Sequence, residues 1–348
     1  MFSRNLIFRK KKNMANVFVR WLDIYTGKII LALLIVCFSL VLVFQPPIWI
    51  FDTLDALRIP YAIALTAFTI FMFIRSNKLL ATSGALALAI LAPGIWQYFK
   101  TGQAPVADMK QEIAITDTST HFSAVHFNVK ENNKNISSVA QAALESGADI
   151  LSFQEMQQRT LEPLDAVLKE QYPYKISDLS RKGYGMAVYA KYPIGENKTV
   201  VQHDFPLLTG VIHLPGNTIR IISATTSSPK NEKGYNEQLK QLKVISAYAD
   251  TVQLPLLVMG DMNAVPWSEQ IENFQKETKL KDSRKNLSST FPSNSIIQVP
   301  IDYIFYSPDL HCIEFKTLEQ TSSNHLGIIG YYTFGQKKKG TNAGENRQ

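Results

Sequence analysis

Residues 258–268 read VMGDMNAVPWS, an apolar run that stops at Gly260 and Asp261, turns through Asn263, and leaves by proline and tryptophan. A short apolar run bounded by turn residues reads as a strand buried in a sheet, with polar side chains where the sheet meets solvent. The same design recurs on either side. HFNV sets Asn128 behind Phe127, ILSFQE ends in Gln154 and Glu155, IDYIFYSP opens on Asp302, and SSNHLG carries Asn324 and His325. Phe122–Phe127, Ile150–Phe153, Met186–Tyr189, Thr218–Ser223, Leu256–Met259 and Asp302–Tyr306 are expected strands. Ile136–Ser146 and Tyr235–Thr251, apolar at near-3.6 spacing, are expected helices. Strands alternating with helices predict a layered α/β domain over residues 115–335.

Carboxylates and amides gathered at strand ends suit a hard divalent cation, which prefers oxygen ligands and keeps several waters. A neighbouring histidine then stabilises a phosphate or exchanges protons with it. Singly, each residue also has a plain structural reading: Asn128 as a turn residue, Glu155 as a helix N-terminal charge, Gly260-Asp261 as a turn. Their joint order is the more specific signal.

The chain has 348 residues and a formal net charge of +7. The charge is unevenly spread: residues 1–28 are net +6, residues 101–335 net −4, and residues 336–348 net +3. The large domain is therefore slightly acidic, which excludes inferring a nucleic-acid binder from the overall basicity. Residues 29–51, 59–74 and 79–99 carry no charged side chain. Ile29–Ile48 and Leu79–Phe99 are each long enough for a membrane helix, and Ile59–Ile74 becomes so if Ala56 and Leu57 join it and Arg58 snorkels. Trp49, Phe51, Trp96, Tyr98 and Phe99 suit an interfacial belt. A membrane domain of three transmembrane helices over 29–100 is expected. Residues 1–28 are expected as a basic cytoplasmic N-terminus, 101–114 as a linker and 336–348 as a disordered basic tail. The Arg4, Arg9–Lys12, Arg20 and Lys28 cluster predicts the N-terminus inside, so three crossings put the C-terminal domain outside the cytoplasm of a bacterial inner membrane. A transport unit is disfavoured, because the apolar runs contain no Asp, Glu, Lys, Arg or His to mark a pathway. Cys37 and Cys312 sit in different settings and imply no disulfide, and no Cys/His cluster suggests structural zinc.

The motifs FNV at 127–129, QE at 154–155, GDMN at 260–263, IDYIF at 301–305 and NH at 324–325 resemble those of the endonuclease/exonuclease/phosphatase superfamily. With three preceding helices, the whole is similar to bacterial membrane members of that group. The resemblance implies a four-layer α/β sandwich of two packed mixed sheets flanked by helices, and a phosphoesterase using Mg²⁺ or Mn²⁺. It implies Glu155 as principal metal ligand with Asn128 beside it, holding metal or phosphate. Asp261 would activate water, Asn263 bind phosphate oxygens, Asp302 support the metal and the histidine, and His325 contact the scissile phosphate. The sequence departs from the pattern twice. Asn324 stands in a motif that is usually Ser-Asp-His, and Thr225 stands where many members place a histidine. Asn lacks the charge that would bind metal or raise the histidine's basicity, and Thr donates a hydrogen bond but is no acid near neutral pH. A non-catalytic phosphate-ligand-binding or scaffold protein is therefore the alternative to a phosphoesterase.

An acidic domain makes a phospholipid or small phosphodiester at least as good a substrate expectation as nucleic acid, with the lipid bilayer as the other partner. A nuclease predicts a basic stripe near Asn128 and His325, and a lipid-acting enzyme predicts an apolar mouth. His121, His126, His203, His213 and His311 form no metal-spaced pair and read as strand or surface positions. Phe122, Phe127, Phe153, Tyr303, Phe305 and Tyr306 read as core, and Trp267 as a candidate for the pocket mouth.

Overall fold

The computed structural model describes residues 25–44, 46, 48–101, 121–319 and 322–335, with the side chains of 97–101 excepted. The expectations for the 1–24 part of the N-terminus, Tyr98 and Phe99, the linker beyond 101, and the tail lie outside these residues. The chain divides into two compact units after Thr101.

The first unit consists of α1 (Tyr25–Phe44), α2 (Trp49–Asp55), α3 (Arg58–Ile74) and α4 (Lys78–Thr101). Helix α1 and the Lys78–Trp96 part of α4 are each long and apolar enough to cross a membrane. The middle run forms one helix, α3, which starts at Arg58 without Ala56 and Leu57; α2 precedes it, bent from it by 59° at a short break, so among the described residues the unit offers two spans, or three if the bent pair is one. Arg58 does not snorkel. It is buried, 2.6 Å from the Asp55 carboxylate, and donates to the Leu42 carbonyl at 2.7 Å, so the break is held by a desolvated ion pair.

The second unit is the expected four-layer α/β sandwich. Its elements are β1 (His121–Asn128), α5 (Ile136–Ser146), β2 (Ile150–Gln154), α6 (Gln158–Leu168), β3 (Tyr174–Asp178), β4 (Met186–Ala190), β5 (Ile194–Gln202) and β6 (Phe205–Leu214). They continue as β7 (Asn217–Ser223), α7 (Glu232–Asp250), β8 (Leu256–Asp261), α8 (Glu269–Thr278), β9 (Lys281–Asp282), β10 (Asp302–Tyr306), β11 (Leu310–Leu318) and β12 (Gly327–Phe334). One sheet has the order β11-β12-β1-β2-β4-β3 and the other β5-β6-β7-β8-β10-β9. Each has one parallel pair at its centre, β1 with β2 and β7 with β8, and antiparallel pairs elsewhere.

Period-two alternation distributes the side chains. Phe122, Ala124, Ile150, Met186, Val188, Ile219, Ile221, Leu257, Met259, Ile304 and Ile328 fill the layer between the sheets. Val125, Phe127, Leu151 and Phe153 face the opposite way and pack under α5 and α6, while Ile222, Val258, Tyr303 and Phe305 pack under α7 and α8.

Every strand expected from the sequence forms, with ends shifted by a residue or two. The β5–β6 hairpin went unread because its two-residue turn is His203-Asp204, both at positive φ (50° and 64°), rather than the Asn-Gly that announces such turns. The last strand, β12, inserts beside the first, pairing His121 with Thr333 and His126 with Ile328. No local pattern marks so distant a pairing.

Candidate active site

Following the inter-sheet layer toward one end, the inward positions turn from apolar to polar in each strand. Ala124 leads to His126 and Asn128, Ile150 to Ser152 and Gln154, Ile221 to Ser223, Met259 to Asp261, and Ile304 back to Asp302. Buried polar groups need partners, and these find them across the gap between the sheets. Ser152 and Ser223 hydroxyls lie 3.0 Å apart. Gln154 donates to the Ala224 carbonyl (2.6 Å) and the Met259 carbonyl (3.2 Å), and accepts from the Asp261 backbone N–H (2.9 Å). The approach is so close at Gly260 that a Cβ would collide with the Ala224 carbonyl and the Gln154 amide.

The side chains beyond this seam form the site. Asp302 and Asp261 stand opposite one another on antiparallel β10 and β8, 0% and 2% exposed. Like charges in that relation repel unless a cation intervenes. His325, 4% exposed, supplies one: its Nδ1 is 2.9 Å from one Asp302 oxygen and its Nε2 is 3.9 Å from Asp261. Phe291 packs on the imidazole at 4.7 Å between ring centroids. The loop bearing His325 is fastened by Ser323, whose hydroxyl donates to the Asn128 carbonyl at 2.7 Å and accepts the His325 N–H at 3.1 Å.

Asn128 sits between two carboxylates. Its amide nitrogen donates to Glu155 (2.9 Å) and Asp261 (3.1 Å), while its oxygen accepts the Lys130 N–H. The second Glu155 oxygen accepts the Glu131 N–H at 2.9 Å. Glu155, directly after Gln154, breaks the strand alternation by adopting φ +57°, so Gln154 enters the seam and Glu155 turns into the site. Asn263 is likewise left-handed at +50°. Such backbone at non-glycine residues costs about 1–3 kcal/mol and clusters where function demands a geometry.

Asn263 donates its amide to the Thr226 carbonyl at 2.9 Å, and its own N–H goes to Asp261 at 2.9 Å. Thr225 is buried and gives its hydroxyl proton to the Asp261 carbonyl at 3.2 Å, so it supports the Asp261 turn. Asn324, half-buried, accepts the Ser293 N–H at its backbone carbonyl, 2.8 Å away. The structure thus gathers Asn128, Glu155, Asp261, Asn263, Asp302 and His325, with Thr225 behind Asp261 and Asn324 adjoining His325.

One participant escaped the sequence reading. His126, taken as an ordinary strand or surface position, is wholly buried with Nε2 3.3 Å from the second Asp302 oxygen. Asp302 is therefore held between two imidazoles. The signal was available: His126 lies two residues before Asn128 and so shares its inward face. Trp267 is 5% exposed.

The electrostatics follow from burial and crowding. Burial and the adjacent Asp302 carboxylate push Asp261 up to about 7. Asp302 is held well below the usual carboxylate range, because His325 and His126 outweigh its burial. Burial favours neutral His325, but the Asp302 and Asp261 carboxylates prevail and raise it to about 9. A carboxylate oxygen from each of Asp261 and Asp302 and a ring nitrogen of His325 lie within 4.8 Å of one another, all three residues buried.

The family model described as the Endonuclease/Exonuclease/phosphatase family matches residues 125–325. No curated protein sequence matches the chain. Among solved structures, the chain resembles D. rerio TDP2 complexed with single strand DNA product (TM-score 0.53, 17% identity, 62% of this chain and 100% of that one). It also resembles an endonuclease/exonuclease/phosphatase family protein from Bacteroides thetaiotaomicron (0.52, 19%, 62% and 99%). A third is the same type of protein from Beutenbergia cavernae DSM 12333 (0.51, 16%, 62% and 72%). At these identities the likeness speaks to the fold, and it agrees with the two packed mixed sheets described above. Matched over more than half its length, the chain belongs to the endonuclease/exonuclease/phosphatase family.

Proposed function

We propose that the 121–335 domain is a divalent-metal-dependent phosphoesterase that hydrolyses a phosphomonoester or phosphodiester by attack of water. The observation that carries this reading is the convergence of three carboxylates, Glu155, Asp261 and Asp302, with buried His325 at the polar end of the inter-sheet layer.

The donor set fits a hard cation such as Mg²⁺ or Mn²⁺. The raised Asp261 carboxyl registers negative charge crowded in a dry interior, the condition a divalent ion relieves. Both Asp302 oxygens already face imidazole nitrogens, so Glu155 and Asp261 are left to hold the ion, with Asn128 orienting them. When bound, the cation would polarise the phosphoryl group and neutralise developing charge.

The chain's own groups supply the rest. Asp261, oriented by the Asn128 amide and the Asn263 N–H, orients the attacking water and accepts its proton. His325, its Nδ1 turned to Asp302, presents Nε2 to the scissile phosphate. The Asn263 amide, with one N–H committed to Thr226, retains another for a phosphate oxygen. Asp302 fixes the tautomer and plane of His325, and His126 fixes Asp302. Asn324 and Thr225 position the His325 loop and the Asp261 turn. The apolar N-terminal helices support a membrane-anchored protein, with the basic N-terminus inside and this domain on the outer side of a bacterial inner membrane.

The test is hydrolysis of bis-p-nitrophenyl phosphate by the detergent-solubilised full chain with Mg²⁺, Mn²⁺ or EDTA, alongside Glu155→Ala and His325→Ala. Turnover that needs metal and disappears in both variants is expected. A rate unchanged by EDTA, or retained in both variants, would refute the proposal. The amide at Asn324 favours one alternative, a non-catalytic phosphate-ligand-binding protein. That alternative predicts no turnover, a cation-dependent rise in melting temperature with phosphate, and some turnover restored by Asn324→Asp.

A further inference from the structure

The loop from Asn286 to Ile301 contains no charged residue. At its tip, residues 294–297 are all exposed, and Ile296 is fully so at 105% with Ile297 at 54%. In the described part of this domain no other neighbouring pair of large apolar side chains is left to solvent in this way. The loop's neck is closed by an antiparallel bridge between Phe291 and Val299. It is fastened to the His325 motif at three points: Leu326 N–H to the Thr290 carbonyl (2.8 Å), Ser293 N–H to the Asn324 carbonyl (2.8 Å), and the Ser293 hydroxyl to the Ser323 carbonyl (2.9 Å). Phe291, at the neck, packs on His325 itself. An apolar tip is thus rigidly tied to the residue that faces the substrate.

We infer that this loop docks on a bilayer surface, Ile296 and Ile297 entering the headgroup layer so that the site receives phosphoesters of membrane lipids. Isolated exposed isoleucines need no explanation, but an adjacent pair on an uncharged, tethered loop beside a polar site does. The bilayer is the occupant argued from this chain, because the same chain carries helices apolar enough to span one. Residues 102–120 join the two units with a maximal reach of about 65 Å, so a bilayer holding those helices lies within range of the domain. An uncharged tip suits the interfacial region, where a buried charge is penalised and isoleucine gains. The substrate class named here rests on the phosphoesterase reading, whereas the docking does not.

The experiment reconstitutes the full chain in phosphatidylcholine/phosphatidylglycerol vesicles. In a Cys37→Ser background, Ile296→Cys is labelled with an environment-sensitive fluorophore; Cys312 stays unlabelled because it is buried and burial pushes its thiol up to about 12. Docking predicts a blue-shifted emission that brominated phospholipids quench. Emission as in water, untouched by those lipids, would overturn it. In parallel, the Ile296→Ser/Ile297→Ser double variant is expected to lose on the order of 10- to 100-fold in turnover of vesicle phospholipid. Its hydrolysis of bis-p-nitrophenyl phosphate should be unchanged. Equal loss on both substrates, or none on lipid, would refute the link between loop and substrate. Absence of soluble-substrate hydrolysis in the parent protein would instead refute the hydrolase reading, while the quenching still decides the docking.

Discussion

Gln154 holds the two sheets together immediately beneath the site, and Gln154→Leu tests how much the site depends on that seam. Leucine nearly matches the volume, so the loss is of hydrogen bonds rather than of packing. The change removes the donors to Ala224 (2.6 Å) and Met259 (3.2 Å) and the acceptor for the Asp261 N–H (2.9 Å). The Met259 carbonyl keeps the Ala224 N–H, so its loss is the smallest of the three. The other two contacts contribute about 1 kcal/mol each, and leaving buried polar groups unmatched adds about 1–3 kcal/mol, giving a destabilisation of about 3–5 kcal/mol. For a domain of this size each kcal/mol lowers the melting temperature by about 2–4 °C, so a fall of about 6–20 °C is expected. The assay is thermal unfolding of the detergent-solubilised full chain by near-UV circular dichroism in EDTA, which removes any contribution from bound cation. Gln154→Glu keeps an acceptor for Asp261 but sets a carboxylate against two carbonyls, and should cost at least as much. A melting temperature within about 2 °C of the parent for Gln154→Leu would refute the reasoning, since the network would then contribute less than about 1 kcal/mol.

His126→Leu leaves one Asp302 oxygen unmatched and should lower kcat about 10-fold with little change in KM, while His126→Gln, which keeps a donor, recovers most of it; equal rates in both variants would rule out the positioning role. In the metal-free protein His325 has its folded pKa raised to about 9, so its stabilising contribution is full below about 6.5 and lost as pH rises through about 9. Denaturation across pH 6–10 in EDTA should show that decline, and His325→Ala should flatten it. Asp302, held low, has the opposite sign: its contribution is present above about 4 and lost as acid protonates it. Because Asp261 is raised to about 7, calorimetric Mg²⁺ affinity should climb as pH increases through that value, with protons released on binding. In the helical unit, Arg58→Leu strands buried Asp55 and should cost about 3–5 kcal/mol, most of it recovered when Asp55→Asn is added; no recovery in detergent melts would mean that the pair is not the cause.

The candidate site residues were legible before the fold because each sits where an apolar run meets polar residues, a change in composition that needs no partner to be visible. Asp261, Asp302, Glu155 and His325 were found that way. His126 was not, because it interrupts nothing: it lies inside a strand, and its importance comes from Asp302, 176 residues away, arriving opposite it. Gln154 was seen as a strand-end residue, but its division of labour with Glu155 depends on one backbone angle, φ +57°, which composition does not encode. The same holds for Arg58. The length of its apolar run called for a side chain reaching outward, whereas a bend in the chain brought Asp55 and the Leu42 carbonyl within reach and buried it among the helices.

What the sequence by itself determined was local and periodic: which runs are apolar, where they stop, which faces alternate, and hence the central strands, two helices and the polar residues at their ends. Hydrophobic burial acts on those patterns wherever they occur along the chain. The tertiary structure alone decided which ends meet. Strand β12 closing beside β1, the two sheets stacked so that His126 and Gln154 face β10 and β8, and the neck of the 291–299 loop resting on His325 are contacts between residues remote in sequence. Their geometry follows from packing the whole domain at once, so no segment carries it alone.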